Sequence, residues 1–443
     1  VQEELDRFKK HNVFEVVKLQ DVPEEITLLT TTWAMKKKSD GQFRARLNMR
    51  GFEQRDGDHY NRASISSPVT NDVSIRVLLT IMLMANMNAY IVDVQGAFLH
   101  GEFDNGEILY CKIPEGFRDA YDSTVECWKL LKTAYGLKQA ARMFWNKIVK
   151  VMNQMGFTRS IGDPCIYWKW TKRGLLIWVS WIDDMLCIGH PEDVEESKNE
   201  FMEIFKCDDV GEFKEYVGCK ITQVEGMIKI TQPVLLQSYE DEFKLPNRKF
   251  GTPAVIGQVM GQVEPGEEFE PEEQTKYRSG VGKLLHMMRW SRPDIWNAVR
   301  ECSRRMTIAN QIHYKAMIRI MKYCIDTPNR GWTLKPNKIW NGKDKEVEFE
   351  ISGESDSNYA TCVDTRRSVT GYIVKIEDAI VAVRSIMQKI VALSVTEAEI
   401  IAMVQCIQEM LYVLKLMESM KLKIRKPMLI YCDNKAAVDL ANG

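Results

Sequence analysis

Asp183 and Asp184 stand side by side in GLLIWVSWIDDMLCIGH, inside an apolar run from Leu175 to Cys187. Adjacent carboxylates in such surroundings are costly unless a metal, a cation or water satisfies them. Ile, Val and Trp dominate the flanks, which predicts strand, turn, strand with the acidic pair near the turn. Carboxylates placed there suit Mg²⁺ or Mn²⁺, because hard cations prefer oxygen ligands. An ordinary Asp-containing hairpin turn has the same pattern. A further acidic candidate, Asp93, is the sole charge in the strand-like stretch around Tyr90 to Val94. Asp93 and Asp183 on neighbouring strands would hold two cations about 4 Å apart, one activating a 3′-hydroxyl and one steadying a leaving pyrophosphate. A buried ion pair is the structural alternative for Asp93.

The complementary charge lies in MKKKSDGQFRARLNMRGFEQR, where Lys36, Lys37, Lys38, Arg44, Arg46, Arg50 and Arg55 face only Asp40 and Glu53. Ser39-Asp40-Gly41 reads as a hairpin turn, and strand alternation puts Arg44 and Arg46 on one face. Paired guanidinium groups suit a phosphate or triphosphate; an edge strand guarded by charge is the alternative. In LKTAYGLKQAARMFWNKIVKVMNQMGF, Met143, Phe144, Ile148, Val151 and Met152 mark a core-facing helix. Lys138, Gln139 and Arg142 at its start face either a nucleic-acid ligand or plain solvent.

These residues need a large scaffold, and 443 residues allow about three lobes. A 45% hydrophobic and 27% charged composition is that of a folded globular chain, and 60 basic residues against 61 acidic ones leave a weak overall field. A nucleic-acid partner must then be met by local patches. The eleven cysteines are scattered without a CxxC pair, which supports neither a zinc ribbon nor a disulfide framework and suggests a reducing compartment. The apolar runs Val77 to Met87 and Leu175 to Ile182 are too short to cross a bilayer, so no membrane partner is expected. Starting at Val1 and stopping at Gly443, the chain reads as a piece of a longer one.

A long apolar helical stretch, Ser74 to Met87, precedes Asp93. Farther on, helices are predicted over Leu235 to Phe243, Gln274 to Arg289, Pro293 to Arg304 and Ile312 to Cys324. Between Gly251 and Glu273 a Pro, Gly and Glu-rich stretch, with six glutamates from Glu264 onward, reads as a solvated linker. From Asn341 a second unit begins, with strands at Val347 to Ser352, Thr370 to Ile376 and Ile380 to Arg384. A long helix follows in ALSVTEAEIIAMVQCIQEMLYVLKLMESM; Ser394 and Glu397 have capping-box spacing, which leaves a purely local role open for Glu397. Pro427 to Cys432 is strand-like and ends at Asp433, before a helical segment from Lys435 to Ala441.

Nine stretches in order, RARLNMRGFEQRDG, VDVQGAFLHGEF, LLKTAYGLKQAARMFW, SWIDDMLCIG, EFKEYVGCKI, YRSGVGKLLHMMRWSRPDI, DTRRSVTGYIV, VALSVTEAEIIA and CDNKAAV, span nearly the whole chain. With them the chain resembles the reverse transcriptase and ribonuclease H region of a copia-type long-terminal-repeat retrotransposon polyprotein. The resemblance implies an α+β fold: a right-hand polymerase with fingers and palm over 1–232, a thumb or connection-like helical region over 233–340 including the acidic linker 251–273, and a ribonuclease H-like α/β domain over 341–443. It implies Asp93, Asp183 and Asp184 as polymerase metal-site carboxylates and Arg46, aided by Lys36 or Lys38, as the triphosphate contact. Phe98 is implied as the aromatic group beneath the sugar that rejects a ribose 2′-hydroxyl, and Gln139 as a neighbour of nucleotide and template. Asp356, Glu397 and Asp433 are implied as the metal-binding carboxylates of ribonuclease H.

On the same resemblance the cofactor is Mg²⁺, with Mn²⁺ as an alternative. The partners are an RNA template with a DNA primer, RNA/DNA hybrids, deoxynucleoside triphosphates and other retroelement polyprotein products. The location is the cytoplasm or virus-like particles. The expected activity is RNA-directed DNA synthesis with hydrolysis of the RNA strand of hybrids; the alternative is a catalytically inactive, retained structural or nucleic-acid-binding protein. The chain departs from the family pattern at Trp181, where Tyr is usual, and beyond CDNKAAV, where a further strand and helix carrying a histidine and a final metal-site Asp are expected. That departure implies an incomplete and less stable ribonuclease H-like sheet.

Overall fold

A computed structural model describes residues 1–37, 41, 43–103, 106–117, 120–258 and 260–443. The N-terminal helix α1 (Gln2–Lys10) lies against a hairpin of β1 (Thr31–Lys37) and β2 (Phe43–Met49). Helix α2 (Asp72–Met84) starts where the Asn71 side chain accepts the Val73 N–H at 2.9 Å. It is apolar on nearly all sides, and it is accordingly buried along most of its length.

The acidic candidates sit on the sheet beside it. Its elements are β3 (Asn88–Val94), α3 (Ala140–Gln154), β4 (Ile166–Trp170), β5 (Leu175–Trp181), β6 (Asp184–Gly189), α4 (Pro191–Ile204) and β7 (Cys207–Glu212). The strand order is β7-β3-β6-β5-β4, with the two-residue strand Thr158–Arg159 as a sixth beyond β4 and each adjacent pair antiparallel. The unbroken apolar run of β5 has a simple cause: both faces of the strand are covered. Leu175, Ile177 and Val179 join the α2 residues Val77 and Ile81 in one core. Leu176 and Trp178 join Phe144 and Ile148 of α3 and Phe201 of α4 in another. Each such side chain contributes about 1.5–3 kcal/mol on burial, which makes this strand pair a rigid base for the turn between β5 and β6.

Next come β8 (Cys219–Val224), β9 (Met227–Thr231), α5 (Pro233–Glu242), α6 (Pro271–Trp290), α7 (Trp296–Ser303), α8 (Gln311–Asp326) and β10 (Trp332–Leu334). The helices share a core built on Tyr239, Tyr277, Leu284, Val299 and Met321. Because β10 pairs with β9, this helical lobe is an insertion between two strands of one sheet. The Pro, Gly and Glu-rich stretch expected to be solvated is anchored at several points. Met260 is buried in the helical core, as is Phe250 just ahead of the stretch, and the Phe269 N–H donates to the Ala309 carbonyl at 2.9 Å.

The last unit contains β11 (Ile351–Asn358), β12 (Val369–Ile376), β13 (Ala379–Met387), α9 (Val395–Ser419), β14 (Leu429–Tyr431) and α10 (Lys435–Asn442). The sheet order is β13-β12-β11-β14, antiparallel except for the parallel β11–β14 pair. By length and composition α9 is apolar enough to cross a membrane. Here it is a core helix, packed on β11, β12 and α2.

A buried ionic network fastens these units together. Arg76 of α2 is fully buried, ion-paired with Asp72, and donates through Nε to the Val381 carbonyl of β13 at 2.6 Å and through Nη1 to the Arg289 carbonyl of α6 at 3.0 Å. Its guanidinium carbon lies 3.9 Å from the Trp332 ring centroid. Asp72 also receives Arg289 Nη2 at 2.8 Å and Arg384 Nη2 at 3.6 Å. The Asp72–Arg76 pair has helical i,i+4 spacing, but no local pattern announces its contacts with Arg289, Arg384, Val381 and Trp332.

Candidate active site

Trp181 pairs with Asp184 across β5 and β6, which leaves Ile182 and Asp183 as the two turn residues. Ile182 has φ +57°, a left-handed conformation unusual for a β-branched residue, and strain of this kind clusters at functional turns. The turn is tied to the next strand, since the Asp183 carbonyl accepts the Val94 N–H at 2.9 Å. In register, Asp93 lies between Asp184 of β6 and Asp208 of β7. Four acidic residues therefore converge at one end of the sheet.

Asp93, Asp183 and Asp208 line a cleft of about 740 Å³, facing Arg44, Arg46, Phe98 and Tyr135. Burial raises the pKa of Asp93, the Asp183 and Asp208 carboxylates raise it further, and Arg44 and Arg46 oppose them. Asp184 is half-buried at the start of β6 and is pushed up to about 6 by burial, then by Asp183 and Asp93. Carboxylate oxygens are the donors a hard divalent cation prefers, and a cation held here would relieve the repulsion.

The electrostatics predict a pH-dependent stability. An acid whose folded pKa lies above its ordinary 3.8 destabilises the fold once ionised; the penalty is absent below the unfolded value and complete above the folded value near 6. Asp184→Asn should then raise the metal-free thermal midpoint at neutral pH by about 2 °C, with the gain vanishing near pH 4. A midpoint difference independent of pH, read by scanning calorimetry in EDTA, would contradict this origin.

The other expected contacts divide. The Arg46 guanidinium carbon sits 5.0 Å from the Tyr135 ring centroid, and its Nε is buried without a partner among the described residues. Lys36 is directly opposite Arg44 in the β1–β2 register, whereas Lys38 lies outside the described residues. Phe98 follows the left-handed Gly96 (φ +67°) and stands edge-on to Tyr135 with centroids 5.9 Å apart. Gln139 is a correction, because the structure does not bring it into the cleft. It is buried, donating to the His59 carbonyl and Glu107 at 3.0 Å each and accepting from Gln54 at 2.9 Å, so its amide closes a structural network.

In the last unit, Asp356 on β11 and Asp433 just after β14 line a common shallow pocket of about 590 Å³. Glu397 is not with them, and this too corrects the sequence expectation. Its carboxylate accepts the Leu393 N–H at 2.6 Å while its own N–H donates to Ser394 Oγ at 3.1 Å, so it closes the helix end. The carboxylate that joins Asp433 is Glu399, whose ligand atom lies within 4.8 Å of those of Cys432 and Asp433. Glu399 is only 3% exposed and is held by the Ser357 N–H at 3.1 Å and hydroxyl at 2.7 Å. Two residues turn a helix by about 200°, which sends Glu397 and Glu399 to opposite sides.

The family model described as reverse transcriptase (RNA-dependent DNA polymerase) matches residues 11–255, more than half of the chain. The chain belongs to the reverse transcriptase family. It is 30% identical over 454 residues to the retrovirus-related Pol polyprotein from transposon TNT 1-94 of Nicotiana tabacum, covering 100% of this chain and 33% of that polyprotein. It is 28% identical to the Pol polyprotein from transposon RE1 of Arabidopsis thaliana, covering 94% of this chain and 28% of the relative. The chain thus spans about a third of the length of these curated relatives. A foamy viral protease-reverse transcriptase (dRH), solved in complex with double-stranded DNA, superposes with a TM-score of 0.50 at 10% identity, covering 100% of this chain and 63% of that one. The fold is α+β and resembles a retroviral reverse transcriptase architecture, and the chain is a reverse transcriptase and ribonuclease H-like region of a copia-type retrotransposon polyprotein.

Two acidic residues of this reverse transcriptase region escape a reading by motif. Asp208 lies in the polar run CDDVGE, where nothing local marks it as a neighbour of Asp93. Glu399 did carry a signal: Ala402, Met403 and Cys406 follow it at helical spacing and are buried, so it is the charged member of a core stripe.

Proposed function

We propose that the chain is an RNA-directed DNA polymerase that extends a primer 3′ end with deoxynucleoside triphosphates. The observation that carries this reading is one cleft in which Asp93 and Asp183 face Arg44, Arg46 and Phe98. Asp93 and Asp183 would hold Mg²⁺ or Mn²⁺, with Asp184 in support. The bound cation supplies neutralisation of the triphosphate and a more acidic primer hydroxyl. The chain's own residues do the rest of the positioning. The β5–β6 turn presents Asp183 from a rigid strand pair, Arg46 on its Tyr135 platform meets the phosphates, and the Phe98 ring limits the space beneath the sugar.

The nucleic-acid partners proposed are an RNA template with a DNA primer, in keeping with the double-stranded DNA bound by the foamy viral relative. For the ribonuclease H-like unit we propose RNA-strand hydrolysis at Asp356, Glu399 and Asp433, with Glu399 in the place first expected for Glu397.

The deciding experiment is extension of oligo(dT) on poly(rA) with dTTP in Mg²⁺ or Mn²⁺. Incorporation is expected, and its absence with both cations overturns the polymerase reading. In the same assay Phe98→Ala should raise relative use of the ribonucleotide by about 10- to 100-fold. An unchanged ratio of ribonucleotide to deoxynucleotide kcat/KM would remove Phe98 from sugar selection.

A further inference from the structure

The strand that carries Arg46 has a hairpin partner, β1, on one side. On its other side the Leu47 N–H, one residue beyond Arg46, donates to Glu4 Oε1 of α1 at 3.2 Å. The second oxygen of Glu4 receives Arg7 Nη1 at 2.9 Å. Glu4 is 2% exposed, and burial raises its pKa against the opposing pull of the Leu47 N–H, Arg7, Arg46 and Arg44. A buried carboxylate is expensive unless its partners are specific, and here its partners are a strand edge and the guanidinium groups around the cleft. Glu4, Arg7 and Arg46 line the same cleft as Asp93 and Asp183.

We propose that Glu4 is a positioning residue for the triphosphate: it latches the outer edge of β2 to α1, beside the link from the Met49 N–H to the Tyr135 carbonyl at 2.7 Å, so that Arg46 is held over Tyr135 and directed at the incoming phosphates. A first-turn glutamate ordinarily only complements the helix dipole. Glu4 instead reaches across to another element through a hydrogen bond separated by 43 residues in sequence. The inference rests on the polymerase reading for its ligand, a nucleoside triphosphate, but the latch is an anion-site device testable with a bare polyphosphate.

The test uses the full chain and its variants Glu4→Ala and Glu4→Gln. Inorganic tripolyphosphate binding is measured by titration calorimetry in EDTA, and KM and kcat for dTTP are measured on the oligo(dT)·poly(rA) substrate. Glu4→Ala is expected to weaken tripolyphosphate binding and raise KM by about tenfold each, with kcat changed by less than about twofold. Glu4→Gln keeps an acceptor for the Leu47 N–H and should stay within about threefold of the parent in both. If Glu4→Ala does not fold, Glu4→Asp, one methylene shorter, is read in its place with the same expected loss. Unchanged polyphosphate affinity and KM overturn the proposal, as does a Gln variant as impaired as Ala, or a fall in kcat at constant KM. A parent chain that binds tripolyphosphate without extending primers overturns the polymerase reading, while the calorimetric comparison still decides the role of Glu4.

Discussion

Asp183→Asn is expected to reduce primer extension by at least about 10³-fold, or roughly 4 kcal/mol of transition-state stabilisation, while leaving affinity for a template-primer within a factor of about two. Asn has nearly the size and shape of Asp, and the backbone link from the Asp183 carbonyl to the Val94 N–H does not depend on the side chain. The turn should therefore keep its form. What is lost is one negative charge on an oxygen donor that lines the cleft beside Asp93. A neutral amide oxygen holds a hard cation poorly, so the deficit should fall on the chemical step, measured as a single-turnover rate at saturating dTTP. Fluorescence anisotropy with a labelled template-primer supplies the binding control. Extension at the parental rate would sink the assignment of Asp183, and a parallel collapse in binding would point to misfolding.

The largest effect on stability is expected at Asp72. Removing its carboxylate by Asp72→Ala leaves Arg76 buried without its ion-pair partner, and losing one member of a buried pair costs about 3 to 5 kcal/mol. Asp72 and Arg76 have side-chain exposures of 0%, so water cannot take over. Burial alone would raise the Asp72 pKa, but Arg76, Arg384 and Arg289 outweigh it and hold the carboxyl below its ordinary 3.8. The sign follows from proton linkage: a depressed pKa adds stability that is present above the unfolded value and lost as pH falls through the folded one. The difference between parent and variant should therefore be constant across neutral pH and shrink only in strong acid.

Equilibrium denaturation in urea checks the magnitude, and replacing both partners by Asp72→Leu with Arg76→Met should recover a large share of the loss. A deficit under about 1 kcal/mol for Asp72→Ala would show that the network is not what fastens α2 to the β13 sheet and α6. The same contacts give the functional reason to expect this investment. They set the orientation of the sheet that carries Asp93 and Asp183 relative to the helical lobe and the ribonuclease H-like unit, all of which a hybrid would have to follow on the proposed function.

Local physics made much of this protein readable in one dimension. The β5–β6 hairpin followed from two apolar runs flanking an acidic turn, α2 from the long apolar stretch Ser74 to Met87, and the Ser394 cap of α9 from its spacing. Asp93 could be singled out because a lone charge in an apolar run has few inexpensive environments, and Asp183 because an adjacent acidic pair in such a run has fewer still.

Tertiary structure alone decided the rest. Gln139 and Phe98 come from similar helix-start or turn contexts, yet packing against Gln54 and His59 seals one and leaves the other in the cleft. Glu397 and Glu399 differ by two positions in one helix, and only the placement of β14 shows which of them meets Asp433. Beyond their local pairs, Glu4 and Asp72 meet the Leu47 N–H and Arg289 on elements distant in sequence, and Asp208 comes beside Asp93 in the same way. Periodicity and capping report on the nearest turn of chain, whereas the pairing of a buried charge depends on which surface is folded against it.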